Sequence, residues 1–96
     1  MATKRDIKKD ISYLCEYIVL DALQVSEITD ESNKPEVVEI IAGISSLYKD
    51  LISRVNHPDG KDNPKLVKAH YKSITHDLLT ECDKFYNQLN KLIPAE

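Results

Sequence analysis

Two cysteines, three histidines and a spaced pair of carboxylates are the side chains here best suited to chemistry: Cys15 and Cys82, His57, His70 and His76, and Asp77 with Glu81. A nucleophilic thiol needs a neighbouring base or cation to become a thiolate. Neither cysteine has a base visible in the sequence, and both fall beside or within apolar stripes, so buried free thiols are expected. His70 and His76 lie six apart and point to different faces of a helix. No Glu-x-x-His or His-x-x-x-His pair is present, so a metal centre built on helices has no support. His57, Asp59 and Asp62 could touch a surface cation, but their spacing fits no calcium loop. Asp77 and Glu81 share one helix face, which reads as a solvated surface and not as an acid–base pair. Gly43 and Gly60 stand alone and form no phosphate-binding loop. The expectation is a non-enzymatic protein with no catalytic, cofactor-binding or metal-binding residues.

Composition narrows the classes further. The chain has 96 residues, 42% of them hydrophobic, with two Gly and four Pro, which suits one folded domain over residues 1–96. Thirteen basic and 16 acidic residues leave a net charge of −3. A mixed surface of this sign is not a nucleic-acid footprint. Lys4, Arg5, Lys8 and Lys9, with the lysines of the third helical segment, are the one basic set available to a nucleic acid, and no stacking aromatics interleave with them. The longest uninterrupted apolar run, Tyr17-Ile18-Val19-Leu20, is far too short to span a membrane. The opening residues lack the apolar core of a secretory peptide, so a cytoplasmic protein is expected.

Three apolar stripes account for nearly all of the chain. They are Ile7-Ile11-Leu14-Ile18-Ala22-Val25 (with Cys15), Val37-Ile41-Ile44-Tyr48-Leu51-Val55, and Val67-Tyr71-Ile74-Leu78-Cys82-Phe85-Leu89-Leu92. Steps of three and four are the period of one helix face. Helices are predicted over residues 4–25, 34–55 and 64–93. Thr3 and Asn63 serve as N-caps, Pro35 and Pro64 sit in first turns, and Pro58 and Pro94 stop helices. Ser26 to Asn33 and His57 to Asn63 read as turns. Short connections make sequential helices antiparallel, so the fold class is all-α: an up-down-up three-helix bundle with a long C-terminal helix.

At 1.5 Å per residue the helices measure ~33, ~32 and ~44 Å, and the third outruns the first by ~11 Å. Ile28, the lone large apolar residue between helices 1 and 2, is expected to fold over that projecting end. If helices 1 and 3 start level, Cys15 and Cys82 are ~10 Å apart along the axis, beyond the ~7 Å Cα limit for a disulfide.

His57-Pro58-Asp59 between two antiparallel helices resembles the signature loop of J-domain co-chaperones, with Tyr71, Lys72 and Ile74 placed like that family's Phe-Lys-x-Ile. Leu23-x-Val25-Ser26 is similar to the turn after its first helix. The resemblance implies an alternative function, stimulation of a heat-shock chaperone's ATPase through His57, Pro58 and Asp59. Departures accompany it. The helix before the tripeptide carries only Lys49 and Arg54 as basic residues, opposed by Glu39 and Asp50, and Asn56 stands where the family usually has an aromatic. A second likeness covers more of the chain. Thr3 to Ile11 and the stretch Ser53 to Pro58 resemble a group of short bacterial helical proteins of unknown function, which implies the same fold and a bacterial cytoplasmic setting.

Helix 1 carries more apolar surface than a bundle needs. Tyr13, Tyr17 and Leu20, at i, i+4 and i+7, lie away from its main stripe, with Val19 and Leu23 widening it from the other edge. Leu79 and Tyr86 make a weaker second edge on helix 3. Large aligned outer residues mark association surfaces. The expected function is therefore protein association, with a homodimer as the leading assembly.

Overall fold

A computed structural model describes residues 4–57 and 63–94. Three helices, α1 (Lys4–Ile28), α2 (Lys34–Asn56) and α3 (Pro64–Lys91), pack against one another as a three-helix bundle with a long C-terminal helix. A single 3-10 turn, Glu31–Asn33, leads directly into α2. The molecule is a rod of 53 × 21 × 16 Å. Its outer helix faces are correspondingly long.

The helix starts follow local chemistry. Asn63 Oδ1 accepts from the backbone N–H groups of Lys65 at 3.0 Å and Leu66 at 3.4 Å, while Pro64 occupies a first-turn position that lacks an N–H anyway. At α2 the expected proline is in the first turn, but the cap residue Asn33 makes no side-chain capping bond. It turns back instead, its Nδ2 donating to Thr29 Oγ1 at 3.1 Å. Thr3 lies outside the described residues.

The core draws on all three stripes, with Leu14, Tyr71 and Phe85 packed at its edge and Val67 only half-buried. Ile7, Ile11, Cys15, Ile18, Ala22 and Val25 from α1 meet Val37, Ile40, Ile44, Leu51 and Val55 from α2 and Ile74, Leu78, Cys82, Leu89 and Leu92 from the α3 end. At a typical ~1.5–3 kcal/mol per buried aliphatic side chain, these positions supply most of the drive to fold. Two α2 assignments shift. Ile40 is buried where Ile41 was expected, with Ile41 packed at the core's edge, and Tyr48 is exposed. Both changes rotate the buried face of α2 slightly, because α2 must serve α1 and α3 together.

Topology is visible in the cross-helix pairs. A Cβ on Gly43 would meet the Phe85 ring at 2.9 Å, and Arg54 reaches Asp77 at 2.8 Å, so α2 and α3 run antiparallel. Gly43 is there because the Phe85 ring lies on the α2 backbone. No larger residue fits without moving it.

The end of α1 departs from expectation in a way that matters. The helix continues three residues past Val25, and the Thr29 N–H still donates to the Val25 carbonyl at 2.9 Å. Ile28 points outward and is 56% exposed, so it does not cover the end of α3. Thr29 does. Its buried hydroxyl donates to the Leu92 carbonyl at 2.8 Å across the bundle. The α3 helix in turn ends at Lys91, two residues earlier than expected, with Leu92 folded into the core and Ile93 exposed. At this end the two helices therefore finish level, and the three extra residues of α3 (28 against 25), ~4.5 Å, fall at its start. A polar residue wins here because the final turn of α3 presents orphan carbonyls that need a donor.

Candidate functional site

The outer face of α1 is built by rotation about the helix axis. Ser12, Glu16 and Val19 line a groove of about 400 Å³ against Ile44, Ser45, Tyr48 and Lys49 of α2, which fixes that flank as the one facing α2. One residue further on is a turn of ~100°, and this carries Tyr13 and Tyr17 away from α2. Tyr13, Tyr17 and Leu20 are 61%, 65% and 56% exposed, with Leu23 also exposed beside them. Val19 packs against the core instead and does not widen the outer face.

Cys82 is turned toward α1, where its thiol meets that of Cys15. Leu79 and Tyr86 stand three before and four after it, so they lie on the flank of α3 that borders α1. Both are exposed. The structure thus sets Leu79 and Tyr86 on the same side of the bundle as the α1–α3 seam.

Charge in α1 separates along its length, a feature the whole-chain balance conceals. Residues 4–10 hold Lys4, Arg5, Lys8 and Lys9 against Asp6 and Asp10, while residues 13–28 hold Glu16, Asp21 and Glu27 with no basic residue; past the helix end come Asp30 and Glu31, the latter paired with Lys34 at 3.0 Å. The apolar face lies between a basic end and an acidic end.

Of the loop tripeptide, Pro58 and Asp59 lie outside the described residues. His57 is exposed, and its Nδ1 donates to the Ser53 carbonyl at 2.9 Å, which fixes the proton on that nitrogen. The basic residue upstream, Arg54, is engaged: Nη1 donates to Asp77 Oδ2 at 2.8 Å and lies 3.8 Å from Asp50, while Nη2 donates to Ser73 Oγ at 3.3 Å. His70 Nε2 donates to the Arg54 carbonyl at 2.7 Å, closing the C-terminal end of α2 from α3. His57 and His70 are therefore helix-end hydrogen-bond donors in this structure.

The two spaced carboxylates have separate partners. Asp77 joins the α2–α3 seam through Arg54 while staying partly solvated, and Glu81, exposed to a similar degree, pairs with Lys84 at 3.3 Å. Among the described residues, no three His, Cys, Asp or Glu side chains gather as a metal site, and no helix is long and apolar enough to cross a membrane.

The cysteines require a correction. Both are buried and free, as expected, but they are closer along the axis than expected: their thiols share a hydrogen bond. The expected offset assumed that α1 and α3 begin level, with Lys4 opposite Pro64, a difference of 60. The Thr29–Leu92 bond sets the difference at 63. The axial offset of Cys15 and Cys82 (a difference of 67) then falls from seven residues to four, ~6 Å. The shared hydrogen bond also divides the two thiols. Donation from Cys82 pulls the Cys15 pKa down against the opposing effect of burial. Cys82 is pushed up by that bond, by burial, and by the charges of Cys15 and Glu81.

No family model, curated protein or solved structure matches this chain.

Proposed function

We propose that this protein acts through association, not catalysis, and that its first partner is a second copy of itself docked on the Tyr13–Tyr17–Leu20 face. The observation that carries the reading is three large side chains on one outward stripe of α1, each more than half exposed. The bundle already takes a full stripe from the opposite side of that helix. Tyrosine offers large contact area at small entropic cost and is enriched where interfaces form.

Charge selects the occupant. With two α1 helices antiparallel about a twofold axis near Tyr17, facing residue numbers sum to about 34. Lys4, Arg5, Lys8 and Lys9 of one copy then lie at the level of Glu27 and Asp30 of the other. The same arrangement opposes the two helix dipoles favourably. Leu79 and Tyr86 extend the contact along the α1–α3 seam. Tyr13 to Leu20 covers ~10 Å of helix and the seam adds about one helix width, on the order of a few hundred Å². Stable complexes bury ~800 Å² per partner, so the dimer is weak and concentration-dependent.

The double variant Tyr17→Glu with Leu20→Lys tests this face. Helicity and unfolding midpoint should stay close to wild type while the average mass at high concentration falls to that of a monomer. Unfolding of the variant would place these side chains in the core and refute the assignment. An unchanged dimer would place the interface elsewhere.

A further inference from the structure

The Cys15–Cys82 pair is the other feature whose chemistry exceeds the needs of packing. Both thiols are buried, at 4% and 7% exposure, and they contact each other between α1 and α3, 67 residues apart in sequence. Two core positions filled by Val or Ala would pack without any redox liability. Cys15 is not sealed in, either. It lines the groove between α1 and α2 together with Ser12, Glu16, Ser45, Tyr48 and Lys49, and about 400 Å³ of that groove is open to small solutes. A peroxide molecule fits easily in such a space, and the groove's polar side chains can solvate it. Cys82 does not line that groove.

We infer that Cys15 and Cys82 form an oxidisable dithiol, in which Cys15 takes a hydroperoxide entering through the α1–α2 groove and Cys82 then closes a disulfide joining α1 to α3. The roles follow from position at the open groove, which Cys15 lines. The hydrogen bond with Cys82 also lowers the Cys15 pKa, and the thiolate is the nucleophile. Its sulfur attacks one peroxide oxygen and the O–O bond breaks. The departing hydroxide takes up a proton and leaves as water. Cys15 is oxidised to a sulfenic acid by two electrons and the peroxide is reduced by the same two. That step removes the thiolate charge which held the Cys82 proton in place. Cys82 sulfur, giving up its proton, attacks the sulfenic sulfur. The S–O bond breaks, the S–S bond forms, and the hydroxyl leaves with that proton as a second water. In sum, two thiols and one peroxide give one disulfide and two waters.

The disulfide links the two parallel helices, which share no direct connection in the chain. Closing so long a loop restricts the unfolded chain and raises the unfolding temperature.

The test uses the full chain, reduced and then exposed to hydrogen peroxide under native conditions. The expected product is a monomeric species lighter by two hydrogen atoms, with a peptide map joining Cys15 to Cys82, a higher Tm, and complete reversal by a thiol reductant. In Cys82→Ser, oxidation should stop at a Cys15 sulfenic acid that a dimedone probe labels. In Cys15→Ser, Cys82 should react far more slowly than Cys15 does in the wild type. Circular dichroism of each variant separates loss of chemistry from loss of fold. Absence of the internal disulfide in the native protein, or its formation only after denaturation, would overturn the inference. So would equal reactivity of the two cysteines in the single variants.

Discussion

Replacing Thr29 by Val isolates the contact that sets the register of the bundle. Valine keeps the branched shape and removes only the hydroxyl, whose proton goes to the Leu92 carbonyl at 2.8 Å in a buried setting. The net value of one such bond is about 0.5–1.5 kcal/mol, and a buried carbonyl left without its donor costs about 1–3 kcal/mol. These overlap, because the second includes the loss of the first, and the extra methyl returns up to ~0.8 kcal/mol. Asn33 Nδ2 also loses its acceptor, though it lies only partly buried and can turn to water. The sum is a loss of about 1–2 kcal/mol. For a domain of this size each kcal/mol moves Tm by roughly 4–8 °C, so a fall of about 4–16 °C is expected. Urea unfolding followed by circular dichroism should show a lower midpoint with unchanged slope. Thr29→Ser, which keeps the hydroxyl, should recover most of the loss. A Thr29→Val variant within about 0.3 kcal/mol of wild type, inside the usual scatter of neutral substitutions, would show that this bond does not hold the helix ends together.

Gly43→Ala should destabilise by up to about 1–2 kcal/mol, because the overpacking cost against Phe85 exceeds the ~1 kcal/mol helix-propensity gain. In a Phe85→Ala background the same change should become stabilising, and a double-mutant cycle in urea reads the reversal. Asp77→Asn should cost less than about 1 kcal/mol and Arg54→Ala somewhat more, since Arg54 also holds Ser73 and both partners are partly solvated; added salt should narrow the gap between Asp77→Asn and wild type. Raising ionic strength should also weaken dimerisation, because the proposed pairing brings the basic and acidic ends of α1 together. A dimer that strengthens in salt would contradict the charge argument.

The three helices were legible because stripes of period 3.6 need no tertiary information, and Asn63-Pro64 announces a helix start by local chemistry alone. The outward face at Tyr13, Tyr17 and Leu20 was legible for the same reason. What the chain order concealed was register. Thr29 sits in a polar run from Ser26 to Asn33 that reads as a turn, and nothing local marks it as the donor for a carbonyl 63 residues away. That bond brings Cys15 and Cys82 nearer in level, since both depend on how far α3 starts ahead of α1. The pairing of Asp77 was likewise hidden, because its partner Arg54 lies on another helix. The charge separation within α1 was present in the sequence and is visible when the helix is read alone.

Sedimentation of the wild-type chain from low micromolar to near millimolar concentration tests the association account most directly. A weight-average mass that climbs from the monomer's 10.9 kDa toward twice that value is predicted, with the rise lost in Tyr17→Glu/Leu20→Lys. A wild type that remains strictly monomeric across the whole range would contradict self-association through the α1 face.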